Sequence, residues 1–162
     1  METNWIAFLV SALVTLLVGF IWYNPKVFGT IWMNENGLTR EELRNGNMLK
    51  IFGLTFIFSF FIVMIESAIT IHQNGALGMI GGPMKLNEAL PSYHAFMNDY
   101  GTAFRTFKHG ALHGAISGLF FAFPIIAING LFERKSWKYI LVNSGFWVVT
   151  LTIIGSIICG WV

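Results

Sequence analysis

The sequence predicts an all-α membrane protein: a four-transmembrane-helix bundle with short interfacial helices in its first and second loops. Three observations carry this. Only 11% of the 162 residues are charged, whereas 55% are hydrophobic; a soluble domain carries about 25% charged residues. The mean hydropathy is +0.64. Four apolar runs reach the roughly 20 residues that a helix needs to cross about 30 Å of hydrocarbon. The runs are too long for barrel strands and lack strand alternation. In lipid they must be helical, because a spanning backbone has no water to bond to. The same figures argue against a soluble enzyme, a nucleic-acid binder, a disordered tail and a disulfide scaffold, and the single Cys159 has no intrachain partner.

The chain reads as one integral domain, residues 1–162, with spans at about 5–23, 51–72, 107–132 and 139–161. A loop of residues 24–50 follows the first span, and a longer loop of residues 73–106 follows the second. The first span reads as a retained helix, not a cleaved leader. Met1–Asn4 has no Lys or Arg, and the run ends in Trp22-Tyr23-Asn24-Pro25 where a leader ends in small residues. Lys26, Arg40, Arg44 and Lys50 in the first loop share a side with Arg134, Lys135 and Lys138 in the third. The other side holds only Lys85, Arg105 and Lys108. The positive-inside rule then puts both basic loops in the cytoplasm and both termini outside.

Loop chemistry predicts further helices. Asn24-Pro25 suggests an N-cap with proline at the first helical position, starting an interfacial helix over residues 25–36 with Gly37 as its stop. Thr39-Arg40-Glu41-Glu42 has the capping-box pattern. In the second loop, Gly75, Gly78, Gly81, Gly82 and Pro83 predict an irregular stretch. Beyond it, Leu86, Leu90, Tyr93, Met97, Tyr100, Phe104 and Phe107 form an apolar seam at helical spacing, with Pro91 starting a helix. This seam reads as an amphipathic element on the bilayer or the bundle, or else as an external recognition element or lid.

Taken together, Trp22-Tyr23-Asn24-Pro25, Phe28-Gly29, Trp32-Met33, Gly46-Asn47-Met48, His109-Gly110, Gly114, Pro124, Asn129, Leu131-Phe132-Glu133 and Asn143 resemble the bacterial membrane family DUF1761. The resemblance covers most of the chain, and the loop from about Gln73 to Phe104 looks like an insertion. It implies a four-span protein of the bacterial inner membrane with no established activity, so no catalytic residue carries over.

Small residues recur every four positions: Ala7, Ser11, Thr15 and Gly19 in the first span; Gly110, Gly114, Gly118 and Ala122 in the third; Thr152, Ser156 and Gly160 in the fourth. A mid-helix glycine costs about 1 kcal/mol against alanine, so a register of three demands a packing reason. In lipid, close packing rather than hydrophobicity drives helices together. The stripes read as helix-packing seams within the protomer or between copies in a homo-oligomer.

Glu66 is the anomaly. A mid-membrane carboxylate costs about 2.5–3.5 kcal/mol on insertion scales. It shares a face with Thr55, Ser59 and Thr70, so it points at protein. Glu66 lies six residues before His72, and His113 six after Phe107; both are about 9 Å deep at 1.5 Å per residue. Depth matching therefore pairs Glu66 with His109 and His113, while His72 and His94 are expected to be solvated. The set reads as a structural clasp, a proton- or ion-linked transport site, or a metal or haem site. For the last, His109 and His113 share a helix face but lack a neighbouring Cys or carboxylate. A second polar cluster, Asn24, Asn129 and Asn143, is expected at the cytoplasmic end. No catalytic residue, metal ligand or cofactor is assigned. The expected partners are the lipid bilayer, further copies of the chain and another membrane protein, with no nucleic acid. The sequence thus reads as a non-enzymatic structural or accessory subunit. The alternative is a small transporter or channel using Glu66 and His113.

The charge bias has a direct test. In a Cys159→Ser background, single cysteines at Asn36 and Asn98 are probed on intact cells with an impermeant thiol reagent. Position 98 should label and position 36 should not; the reverse pattern inverts the orientation.

Overall fold

A computed structural model describes residues 3–162; Met1 and Glu2, which open the Lys- and Arg-free start of the chain, lie outside them. The described residues are helical, with no strand. Four helical stretches are long and apolar enough to cross a membrane: Trp5–Trp22 (α1), Met48–Thr70 (α4), Phe107–Phe132 and Trp137–Gly160 (α9). The third comprises Phe107–Ser117 (α7), a π-helical turn Gly118–Ala122 and Phe123–Phe132 (α8). Shorter helices are Gly29–Asn36 (α2), Arg40–Arg44 (α3), His72–Met79 (α5) and Pro91–Tyr100 (α6), with a 3₁₀ segment Pro83–Glu88.

α9 is the central helix, in contact with α1, α2, α4, α7, the π turn and α8. Its contact with α7 is a seam of backbone on backbone. A Cβ on Gly110 would collide with the Gly155 carbonyl, one on Gly114 with the Leu151 carbonyl, and one on Gly118 would lie 2.6 Å from Val148 Cα. In return, a Cβ on Gly155 would lie 2.5 Å from the Gly110 carbonyl oxygen. Thus the third span's stripe meets the backbone at Val148, Leu151, Thr152 and Gly155, and not the side chains of the Thr152-Ser156-Gly160 row. Thr152 and Ser156 are only half-buried, and Gly160 instead receives Phe107.

α1 is fastened to α9 at both ends. Asn4 Nδ2 donates to the Trp161 carbonyl at 3.3 Å, and the Trp22 indole N–H donates to the Val142 carbonyl at 3.0 Å. Between these ties Ala7, Ser11 and Thr15 are buried, and Phe8, Ala12, Val14 and Val18 join Val63, Phe146, Ile154 and Ile158 in the core.

The loops differ from expectation in two places. Residues 25–28 form a turn, so the interfacial helix begins at Gly29 and not at Pro25. Asn24 caps that turn: its side-chain oxygen accepts from Lys26 N and its carbonyl from Val27 N and Gly29 N. Gly29 sits where a Cβ would strike the Tyr23 carbonyl, so the chain folds back on α1 before it can wind. The stop at Gly37 is left-handed (φ 65°) and Thr39 with Glu42 makes a complete capping box. In the second loop, residues 72–79 are helical despite Gly75 and Gly78. Asn74 Nδ2 anchors this helix to the Ser67 carbonyl at 3.0 Å. As expected, Pro91 starts a helix of its own, α6, within the apolar seam. Pro91 holds Leu90 extended (φ −65°, ψ 154°), as a residue before proline prefers.

The seam predicts an asymmetry between two substitutions in the same span. Gly114→Leu should lower stability in detergent by about 3 kcal/mol, the upper range for overpacking. Leu119→Ile, at a half-exposed outward position, should cost under about 1 kcal/mol. Thermal unfolding of the purified variants measures both, and equal stabilities would dissolve the seam.

Candidate functional site

The glycine seam orients the polar residues of α7. His109, His113 and Ser117 each precede one of its glycines by a single residue, so they lie about 100° round the helix. That face turns to α4 and to the bend that ends it. α4 stops at Thr70; Ile71 is extended (φ −101°, ψ 98°) and α5 starts at His72. The bend swings His72 over the first turns of α7.

Glu66 is 3% exposed. Ser117 Oγ donates to its Oε1 at 3.2 Å, and Thr70 Oγ1 donates back to the Glu66 carbonyl at 2.8 Å. The expected pairing of Glu66 with His109 and His113 is therefore corrected: the carboxylate sits one α7 turn deeper and meets Ser117. Counting depth from the span ends assumed both helices start level, but Glu66 lies four residues from the end of α4 and Ser117 ten from the start of α7, so α7 begins further out than α4 ends. Beside Glu66 lies a groove of about 490 Å³ lined by Phe61, Ile65, Phe121, Ile125 and Trp147. These aromatic and aliphatic walls continue past Ser117 along the π turn and α8.

His113 pairs instead with His72, Nε2 to Nε2, at 3.3 Å. His109 completes a triangle, with ring centroids 4.9 Å from His72 and 4.5 Å from His113. Phe104 covers it, 5.2 Å from the His109 ring and 5.8 Å from that of His72. Phe104 has φ 62°, a left-handed conformation that is rare for a bulky side chain. It is held from both sides. Gln73 Nε2 donates to the Tyr100 and Ala103 carbonyls at 2.8 Å each, and Arg105 Nε donates to the Cys159 carbonyl at 2.9 Å. His72, expected to be solvated, is exposed yet belongs to this cluster; His94, on α6, does not.

The three asparagines do not form one cluster. Asn143 accepts from the Tyr23 hydroxyl at 3.1 Å and donates to the Tyr139 carbonyl at 2.8 Å. Asn24 caps its own turn. Asn129 is exposed, and Gly130 takes the inward place, where a Cβ would come 2.8 Å from Ile140 Cγ1. The π turn adds about one residue to the helical repeat. It thereby rotates everything after it, so Asn129 no longer continues the Gly118 face. Pro124, without an N–H, follows directly.

The bundle, the glycine seam and the Trp22–Gly29 hinge extend over the region matched by the family profile described as "Protein of unknown function (DUF1761)", residues 6–159. The chain belongs to the DUF1761 family. No curated protein and no solved structure matches it. This DUF1761 chain carries its three clustered histidines at the end of the bundle where α4 stops and α7 starts. Sequence reasoning missed Ser117, Tyr23 and the role of His72. Ser117 was within reach, being four residues beyond His113 on the same stripe.

A double-mutant cycle separates the two pairings. Ser117→Ala with Glu66→Leu should show a coupling of about 0.5–1.5 kcal/mol, the range for a buried hydrogen bond. Glu66→Leu with His113→Leu should show almost none. Chemical or thermal unfolding in one detergent reads both, and the opposite ranking restores the histidine pairing.

Proposed function

We propose that this DUF1761 protein is a non-enzymatic structural or accessory subunit of the bacterial inner membrane, working as a homo-oligomer or beside another membrane protein. Both basic loops lie in the cytoplasm and both termini outside. One observation supports the reading: polar side chains inside the bundle are buried. Ser11, Ser59 and Thr150, polar residues of three different spans, are each at most 1% exposed. The Glu66–Ser117 bond clasps α4 to α7, and apolar groove walls continue beyond it. A transport path needs accessible polar lining through the whole thickness, and these three hydroxyls are buried. The two basic loops are also tied together, Ser136 Oγ donating to Glu35, which presents one joined surface for a partner.

Native mass spectrometry of gently extracted protein tests the reading. It should give masses above that of the 18.2 kDa chain, and Glu66→Gln should retain them, because the amide still accepts from Ser117. In liposomes neither form should carry protons or ions above the lipid background. A monomer with a proton flux that disappears in Glu66→Gln would establish the transporter instead.

A further inference from the structure

We infer that His72, His109 and His113 form a binding site for a zinc-class divalent transition-metal ion, at the end of the bundle where α4 stops and α7 starts. One ring nitrogen of each residue lies within 4.8 Å of the other two. Tetrahedral zinc binds imidazole at about 2.0–2.1 Å, which places its ligand nitrogens about 3.3–3.4 Å apart. The His72–His113 pair is already at 3.3 Å. The other gaps close by rotation of the rings, each carried on a separate side chain.

The donor set selects the ion. Three neutral imidazoles suit zinc, copper, nickel or cobalt, whereas magnesium and calcium take oxygen ligands. His109 Nε2 is buried with no hydrogen-bond partner, a costly state for a polar atom that a coordinated ion or a ring rotation towards it relieves. Exposed His72 leaves one side open to solvent, so three protein ligands and a water complete four-coordination.

The surroundings hold the rings in place. His109 lies in the first turn of α7, whose N-cap Thr106 accepts from the His109 N–H at 3.1 Å. His113 follows one turn later on the same face. Gln73, adjacent to His72, grips the segment that carries Phe104 over the rings. The three ligands thus come from two elements that meet only in the folded bundle. His109-x-x-x-His113 alone is a weak motif, and the bend at Ile71 supplies its third ligand.

Cobalt is the spectroscopic probe. Tag-free full-length protein in detergent is stripped with a chelator and titrated with Co²⁺. One equivalent should produce the visible bands of tetrahedral cobalt, and Zn²⁺ should abolish them. Metal content after desalting should be one zinc per chain. His109→Ala or His113→Ala should remove the bands, and His72→Asn, at the exposed corner, should weaken Co²⁺ binding at least about tenfold. His94→Asn should leave binding unchanged. Zinc-edge absorption on the unaltered protein should report three nitrogen ligands at about 2.0–2.1 Å, a readout independent of whether any variant folds. Absence of the bands, bands that survive His109→Ala or His113→Ala, Co²⁺ binding undiminished in His72→Asn, or an absorption spectrum without imidazole scattering would each overturn the site.

Discussion

The contact on which the rest depends is the one made without side chains. Gly110, Gly114 and Gly118 let α7 lie on the backbone of α9 at Gly155, Leu151 and Val148. A single Cβ at any of them would push the helices apart. Because nothing else fits on that face, the rotation of α7 about its own axis is fixed. His109, His113 and Ser117, one residue before each glycine, are then turned together towards α4. The polar residues are placed by glycines that carry no chemistry of their own. In a bilayer, where lipid tails offer helices as good an apolar surface as each other, such close approach is the main source of association.

The π turn ends this seam and isolates its two halves. Upstream, the register is set by glycine on backbone; downstream, one added residue turns Ala127 and Gly130 inward and leaves Asn129 exposed. Pro124 is compatible with this place because the widened turn frees the carbonyl that a straight α-helix would press on its ring. The groove beside Glu66 lies along this same stretch, with Phe121, Ala122, Ile125 and Ile126 on its wall. Change of helical register and opening of the groove share one cause.

The two ends of the bundle are built differently. At the basic-loop end, α1 and α9 are tied through aromatic residues: Trp22 to the Val142 carbonyl, Tyr23 to Asn143, with Trp32 and Phe146 packed on the Tyr23 ring at 5.3 and 5.2 Å. At the other end the ties are polar and reach across the second loop, through Gln73 and Arg105. Glycine at 29 and the bend at Ile71 allow each loop to fold back onto its own span.

The sequence by itself determined the number of spans, the helical class, the family and the identity of the packing stripe. Each depends on local composition or on a repeat within one helix, and a repeat survives whatever the helix packs against. The capping box at Thr39 and the stop at Gly37 belong to the same class, since their bonds close within a few residues. What only the tertiary structure decided was which residues meet between helices. Depth counted along two helices errs by a whole turn when one starts further out than the other ends, and this moved Glu66 from His113 to Ser117, while the bend at Ile71 brought His72 to His113. Facing relations beyond the π turn were equally hidden, because nothing local in Gly118–Ala122 announces an added residue. Partners across a bundle depend on the axial offset and rotation of both helices, which the seam with a third helix, α9, settles.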